Sequence, residues 1–173
     1  MNNKEKILKI IFENPTTKFH IRELARITKL MPNTVINITN KLLKEDLIIK
    51  EKRKHLVEVY ANVENEQFIF QKKLFNLSEI NKSGIREFIK EKYSPKSISI
   101  IGSYSRGEDI ETSDIDLVVI TSSNKREDLE KFEKKLSRKI HLLLTNYKSI
   151  SKEFYTNLIN GITIQGYLEY ETI

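Results

Sequence analysis

Cysteine is absent from the 173 residues of the chain. Without it there is neither a disulfide framework nor a thiolate metal site. No apolar run approaches the roughly 18 residues that cross a bilayer, so we expect no membrane association. The first ten residues, MNNKEKILKI, lack the long apolar region and the small-residue cleavage site of a signal peptide. These absences favour a globular, cytoplasmic protein.

Positive charge is unevenly distributed along the chain. Residues 1–62 hold 13 Lys or Arg against 7 Asp or Glu, whereas residues 63–173 hold 17 of each kind. The whole net charge of +6 therefore lies in the first third. A polyanion such as double-stranded DNA is the partner that this asymmetry favours, and a solvated lysine-rich surface is the alternative.

Residues 1–62 show the pattern of three short helices followed by a hairpin. Apolar residues recur at helical spacing in 5–13, and Pro32 suits the first turn of a later helix. The segments LIIKEK and LVEVYA, joined by RKH, predict a two-stranded hairpin with a basic tip. On the second helix, the residues expected to share the buried face are Ile21, Leu24, Ala25 and Ile27.

The helix that begins at Pro32 has two different faces. Val35, Ile38 and Leu42 recur at core spacing, while asparagines and lysines fall on the polar side. Amide side chains pair with adenine edges and lysines meet phosphates, so this side and the hairpin tip are predicted to contact DNA. The candidate DNA-binding residues are Asn33, Asn37, Asn40, Lys41, Lys44, Arg53, Lys54 and His55. Ile36 and Leu43, off the core stripe, indicate packing against another domain as an alternative.

The same segment resembles the winged helix-turn-helix domains of MarR-like and ArsR-like regulators. The resemblance rests on ELA at 23–25, TV at 34–35, KL at 41–42 and DLI at 46–48. It implies a DNA-binding transcription regulator that reads two half-sites as a homodimer, for which FIFQKKLF at 68–75 offers apolar positions. A winged helix used for protein contacts is the alternative. Lys29 departs from the pattern, because many such domains place glycine in this turn.

The middle of the chain predicts a helical connector. ENEQFIFQKKLFNL and SEINKSGIREFIKEKY have helical periodicity, and a helix is stiffer than a Gly/Ser linker. The residues expected to be buried are Phe68, Leu74, Ile85, Phe88 and Ile89. We therefore expect three parts, namely a DNA-binding domain at 1–62, a helical connector at 63–92 and a third domain at 93–173.

The stretch GSYSRGEDIETSDIDL, residues 102–117, carries the candidate catalytic residues. It is flanked by two predicted strands, and strand alternation places Asp114 and Asp116 on one face. Adjacent carboxylates repel each other unless a cation separates them, and Mg²⁺ (or Mn²⁺) takes carboxylates together with phosphate oxygens. Gly102 permits close backbone approach, while Ser103 and Arg106 can bind phosphate. The pattern predicts a site for a metal and a nucleoside triphosphate.

Gly-Ser followed after about ten residues by Asp-hydrophobic-Asp resembles the signature of the DNA polymerase β-like nucleotidyltransferase superfamily. GSYSRG with SDIDL is similar to its minimal branch, which includes nucleotidyltransferase antitoxins. The resemblance implies a small mixed sheet flanked by helices over roughly 80–168, within an α+β chain. It also implies that Gly102 and Ser103 hold the triphosphate and that Asp114 and Asp116 are the catalytic, metal-binding carboxylates. A protein partner of the toxin–antitoxin kind would follow.

The third carboxylate of that superfamily, within a Lys-Val-Asp-Leu pattern, is missing here. RKIHLLLT places His141 at this position, and a neutral imidazole is a poor Mg²⁺ ligand. His141 is therefore a weak candidate metal ligand, and a half-buried histidine without any ligand is the alternative.

Two functions remain open at this point. The first, which His141 favours, is a DNA-binding transcription regulator whose nucleotidyltransferase-fold domain binds a nucleotide or a partner. The second is an active metal-dependent nucleotidyltransferase that moves a nucleoside monophosphate from a nucleoside triphosphate, ATP by preference, to a protein or small acceptor. Extension of nucleic-acid 3′ ends fits less well, because so small a domain leaves little room for a template or tail.

Overall fold

The computed structural model describes residues 1–53 and 56–169, and for Arg53 the backbone alone. The chain divides into two compact units, Met1–Phe75 and Asn76–Ile173. Helices and small sheets occur in both units, which confirms the mixed α+β class. Among the described residues no helix is both long enough and apolar enough to cross a membrane. The predicted three-part division of the chain stays a prediction.

The first unit consists of helices and a three-stranded antiparallel sheet. Its elements are α1 (Asn3–Glu13), β1 (Phe19–His20), α2 (Ile21–Thr28), α3 (Pro32–Lys44), β2 (Ile48–Arg53), β3 (Leu56–Ala61) and the start of α4 (Glu66–Ser83). The strand order is β1-β3-β2. The core joins the inner faces of the helices to the sheet through fully buried Ile7, Leu24, Val35, Leu42 and Val59.

The predicted faces of α2 and α3 are correct with one exception. Pro32 is the first residue of α3, Val35 and Leu42 are fully buried, and Ile38 is partly buried. Ile27 was predicted to be buried but is 43% exposed. At about 100° per residue, Leu24, Ala25 and Thr28 share one arc of α2 and Ile27 falls outside it. Thr28 is polar but tolerates burial, because its hydroxyl donates a hydrogen bond to the Leu24 carbonyl at 2.5 Å.

The second unit is built on a four-stranded mixed sheet of order β6-β5-β4-β7. Its further elements are α5 (Ile85–Tyr93), β4 (Ser97–Ile101), α6 (Gly102–Arg106), β5 (Ile115–Ile120), α7 (Glu130–Leu136), β6 (Ile140–Thr145), a 3₁₀ turn (Tyr147–Ser149), α8 (Lys152–Ile159) and β7 (Ile162–Gly166). Only β5 and β6 pair in parallel among these strands. Apolar side chains of α5 and α7 pack on one face of the sheet, and α8 packs on the other.

Helix α4 differs from its prediction in length and in orientation. The two predicted helices met between Leu77 and Ser78, whereas α4 continues to Ser83 and ends before Gly84, whose φ is +81°. Leu74 was predicted to be buried but is 50% exposed, because α4 buries the stripe of Phe68, Lys72 and Asn76 instead. Exposed Leu74 belongs to the segment on which the predicted homodimer depends, and the homodimer stays a prediction.

Candidate active site

Gly102 and Asp116 lie side by side at the end of two neighbouring strands. Strands β4 and β5 are antiparallel with Ile101 opposite Asp116, so the chain leaves β4 at Gly102 beside the Asp116 carboxylate. Gly102 has a φ of +72°, and a Cβ on it would come within 2.7 Å of Asp116 Oδ2. Both the backbone angle and the available space therefore require glycine. Because glycine has no Cβ, the Asp116 carboxylate can lie directly against the main chain.

The residues after Gly102 form the short helix α6. Tyr104 is buried, and the Ser105 hydroxyl donates to the Gly102 carbonyl at 2.8 Å, so these residues anchor the turn. Ser103 lies on the outer side, half-buried, and its hydroxyl has no hydrogen-bond partner among the described residues. The turn therefore presents Ser103 at the same end of β4 as Asp116.

Arg106, predicted to bind phosphate, is engaged elsewhere in this conformation. Its Nε lies 2.6 Å from Glu108 Oε2, and the two side chains are 54% and 49% exposed. Exposed ion pairs of this kind contribute little free energy, so a phosphate could displace Glu108 at small cost. A phosphate contact by Arg106 stays a prediction.

The two aspartates frame the beginning of β5. Ile115, Leu117 and Val119 are fully buried on the opposite side of the strand, as strand alternation predicts. Asp114 precedes β5 and is exposed, while Asp116 lies within it and is half-buried. The carboxylates therefore lie at one end of the sheet but in unequal environments.

His141 contacts the Asp116 carboxylate. The parallel register pairs Asp116 with His141, and His141 Nδ1 lies 3.1 Å from Asp116 Oδ1. The His141 side chain is 72% exposed rather than half-buried, and whether it binds a metal stays a prediction. An ionised carboxylate can only accept, so Nδ1 carries the proton in this contact. The side chain at the position of the missing carboxylate thus contacts Asp116, but as a hydrogen-bond donor and not as a second carboxylate.

Asp114 and Asp116 are the side chains at this end of the sheet that could hold a hard divalent cation. Asp114 and Asp116 offer the carboxylate oxygens that Mg²⁺ or Mn²⁺ prefers, and Gly102 leaves the Oδ2 side of Asp116 without a Cβ. No group of three His, Asp or Glu side chains among the described residues could hold a metal ion. Phosphate and water oxygens would have to complete the coordination of a bound ion.

A buried polar network supports the loop that joins α6 to β5. Asp109, 2% exposed, accepts from Asn76 Nδ2 at 2.7 Å, and its Oδ2 lies 3.8 Å from Arg138 Nη2. Asn76 also donates to the Tyr104 carbonyl, and Arg138 to the Glu111 carbonyl. The sequence did not single out Asp109, because it is one of five acidic residues in 102–117 and its partners are remote. The network fixes the loop that separates Ser103 from Asp114.

The candidate DNA-binding residues belong to the first unit. Those on α3 are all exposed and share one face of the helix, namely Asn33, Asn37, Asn40, Lys41 and Lys44. Lys50 Nζ donates to Asn40 Oδ1 at 2.7 Å, and partial burial lowers the pKa of Lys50. Ile36 and Leu43 are also exposed on α3. Lys54, His55 and the side chain of Arg53 lie outside the described residues.

Comparison with known proteins gives matches for part of the chain. Residues 82–164 match the family described as "Nucleotidyltransferase domain". The chain is 52% identical over 48 residues to "Putative protein adenylyltransferase MJ1215" of Methanocaldococcus jannaschii, covering 28% of this chain and 55% of that protein. It is 40% identical over 65 residues to "Putative protein adenylyltransferase MJ1379" of the same organism, covering 34% and 65%. No solved structure matches the chain.

These similarities confirm a nucleotidyltransferase domain at residues 82–164. The chain spans only about half to two thirds of the length of these curated relatives. The family match does not extend to residues 1–81, so the winged helix-turn-helix interpretation finds no support in it.

Proposed function

We propose that the chain is a nucleotidyltransferase that moves AMP from ATP to a hydroxyl group of a protein acceptor. The observation that carries the proposal is the packing of Asp116 against Gly102, beside Ser103, in a domain that matches nucleotidyltransferases. The names of the two relatives indicate the nucleotide and the acceptor class, since both are named as protein adenylyltransferases.

Each side chain of the site has a distinct task in this reaction. Asp114 and Asp116 would hold a divalent cation, which when bound would neutralise phosphate charge. Ser103 donates to a phosphate oxygen, and Arg106 exchanges Glu108 for a second one. The acceptor hydroxyl oxygen then bonds to the α-phosphorus, the bond from that phosphorus to the bridging oxygen breaks, and pyrophosphate leaves. The hydroxyl proton passes to solvent.

His141 makes this site less negative than one with three carboxylates. Cation binding is therefore expected to be weak in the absence of nucleotide and to strengthen in its presence, because phosphate oxygens supply the missing ligands. By linkage, the cation strengthens nucleotide binding by the same factor.

Titration calorimetry with ATP and Mg²⁺ tests the proposed site. We expect wild type to bind, and the Asp114→Asn, Asp116→Asn double variant to lose at least about tenfold in affinity, about 1.4 kcal/mol. Glu91→Gln, an exposed change of the same kind in the same unit, is the control and should bind normally. Absent binding in wild type, or equal binding in the double variant, would contradict the proposal.

We propose as a second function that residues 1–62 form a winged helix-turn-helix domain that binds double-stranded DNA. Two observations favour it, namely the order of three helices followed by a hairpin and the exposed asparagine and lysine face of α3. Lys29 adopts the left-handed conformation, with a φ of +56°, that glycine takes in many such turns. Exposed Ile36 and Leu43 on the same helix favour a protein surface as the competing partner.

A further inference from the structure

Strand β6 forms one edge of the four-stranded sheet, and its hydrogen bonds to β5 show which of its residues direct their backbone groups outward. The Ile115 N–H donates to the Lys139 carbonyl, and the Thr121 N–H donates to the Thr145 carbonyl, both at 2.8 Å. Because backbone groups alternate along a strand, these two bonds show that the odd-numbered residues of β6 direct their N–H and C=O groups toward β5. The even-numbered residues, Leu142 among them, therefore point theirs away from the sheet.

The outward groups of β6 are open over its central part. Ile140 N–H donates to Glu133 Oε1 at 3.0 Å, which closes the beginning of the strand. Among the described residues, the N–H and C=O groups of Leu142 and Leu144 have no hydrogen-bond partner. Such groups are a template for one more strand.

The two edges of this sheet differ in how they are protected. The opposite edge strand, β7, pairs with β4 through a register shift, and irregularities of this kind discourage further pairing. Strand β6 pairs with β5 in unbroken register over six residue pairs and contains neither proline nor lysine. Its edge is therefore regular as well as open.

A groove of about 660 Å³ runs along this edge. One wall is formed by 140–144, and the other by Asn124, residues 126–130 and Glu133. Both walls belong to the second unit. The groove gives room for a short extended chain beside Leu142 and Leu144.

The groove adjoins the candidate active site through His141. Adjacent strands lie about 4.8 Å apart, so an added strand would be about 10 Å from the β5 backbone at Asp116. His141 projects on the Asp116 face, as their contact shows. Alternate side chains of an added strand project on that same face, so one of them stands next to His141.

We infer that the acceptor of the proposed reaction is an extended polypeptide segment that adds to β6 as a fifth strand. This inference rests on the proposed nucleotidyl transfer and names its substrate class. The added strand presents a Ser, Thr or Tyr hydroxyl on the His141 and Asp116 face. That hydroxyl oxygen bonds to the α-phosphorus of ATP, pyrophosphate leaves, and the hydroxyl proton passes to solvent.

A peptide library tests the acceptor class. The full chain is incubated with α-labelled ATP, Mg²⁺ or Mn²⁺, and eleven-residue peptides with a central Ser, Thr or Tyr and randomised flanks. The best-labelled peptide is then remade with a single backbone N-methyl group at each flanking position. We expect methylation at every second position to reduce labelling about tenfold or more, because it removes a hydrogen bond to β6. Methylation at the intervening positions should change it less than about twofold.

Hydrogen exchange gives an independent readout on the protein. The amides of Leu142 and Leu144 should exchange fast in the free chain and at least about tenfold more slowly with the selected peptide. The amide of Leu143 points toward β5 and is the internal control, which should not change.

The outcomes separate the inference from the proposed function. The inference is overturned if peptides are labelled but the effect of N-methylation does not alternate along the peptide, or if only small hydroxyl compounds such as glycerol and nucleosides are labelled. Both results leave nucleotidyl transfer intact. Concentration-dependent protection of Leu142 and Leu144 without peptide also overturns it, because β6 would then pair with a second copy. Failure of the chain to bind ATP or to label any acceptor overturns both.

Discussion

The two oxygens of one carboxylate have different neighbours in the candidate site. Asp116 Oδ2 lies 2.7 Å from the position that a Cβ on Gly102 would take, and Oδ1 accepts from His141 Nδ1. Substitutions at Gly102 or His141 should therefore move the Asp116 carboxylate, which is proposed to hold the cation, or change the charge beside it.

The change Gly102→Ala should displace Asp116 and weaken ATP binding at least about tenfold, about 1.4 kcal/mol. Its Cβ would come within 2.7 Å of Oδ2, and its φ of +72° adds strain of about 1–2 kcal/mol. Gly84→Ala is the matched control, because Gly84 has a φ of +81° and no atom within 4 Å of the added Cβ. Urea denaturation should show both variants destabilised, and calorimetry should show only Gly102→Ala impaired. Equal loss of ATP binding in Gly84→Ala would contradict the steric explanation.

The change His141→Asp should strengthen Mg²⁺ binding in the absence of nucleotide and raise the rate of transfer. It replaces a proton donor on Asp116 by a third carboxylate, which a hard cation prefers. His141→Asn is the control, because it removes the imidazole without adding charge. Metal titration and transfer rates in Mg²⁺ measure the effect. If Asn activates as well as Asp, loss of the imidazole is the cause rather than gain of a ligand.

At the scale of elements, the loop between α6 and β5 depends on buried polar contacts. Asp109→Ala removes an acceptor of Asn76 and leaves the Arg138 side chain, 10% exposed, without that carboxylate. We expect a loss of about 3 kcal/mol in the free energy of unfolding. Glu108→Ala, next to it in the loop, breaks only an exposed pair and should cost less than about 1 kcal/mol. Similar losses for the two variants by urea denaturation would show that the network does not stabilise the loop.

Elements that depend on local patterns could be predicted from the sequence. The buried strands β4 and β5 and the start of α3 at Pro32 follow from apolar spacing and from proline. The end of α4 before Gly84 was not predicted. The apolar pattern continues past the predicted boundary after Leu77, and the helix ends where Gly84 adopts a left-handed conformation.

Contacts that join distant elements could not be predicted in the same way. Asn76 and Asp109 are 33 residues apart, and nothing in either local sequence indicates the other. The resemblance placed His141 at the third position, but its hydrogen bond to Asp116 depends on the parallel register of β5 and β6. The open edge of β6 likewise depends on strand order, which hydropathy alone does not give.

At the scale of the whole molecule, the basic first third remains distinct from the nucleotidyltransferase domain in composition. Residues 1–62 carry the entire net charge of +6, and five exposed Asn and Lys side chains lie on one face of α3. This distribution is the basis for the proposed DNA contact.

Lys41→Ala with Lys44→Ala should weaken binding to all duplex sequences and flatten its salt dependence, because fewer phosphate contacts release fewer counterions. Asn37→Ala should instead cost about 1–3 kcal/mol at one base pair. Lys148→Ala with Lys152→Ala, exposed in the second unit, is the control and should leave binding unchanged. Fluorescence anisotropy of the full chain at several salt concentrations measures these effects. Equal binding by all four proteins would contradict α3 as the DNA contact.

The fate of the α-phosphorus of ATP tests the central claim most directly. The full chain is incubated with Mg²⁺ or Mn²⁺, the peptide library described above, and ATP labelled at either the α- or the γ-phosphate. We predict that peptide acquires label from the α-position and none from the γ-position. The Asp114→Asn, Asp116→Asn variant should transfer none, and Glu91→Gln should transfer as wild type does. Label from the γ-position, or equal transfer by the double variant, would show that the chain is not a nucleotidyltransferase acting through these aspartates.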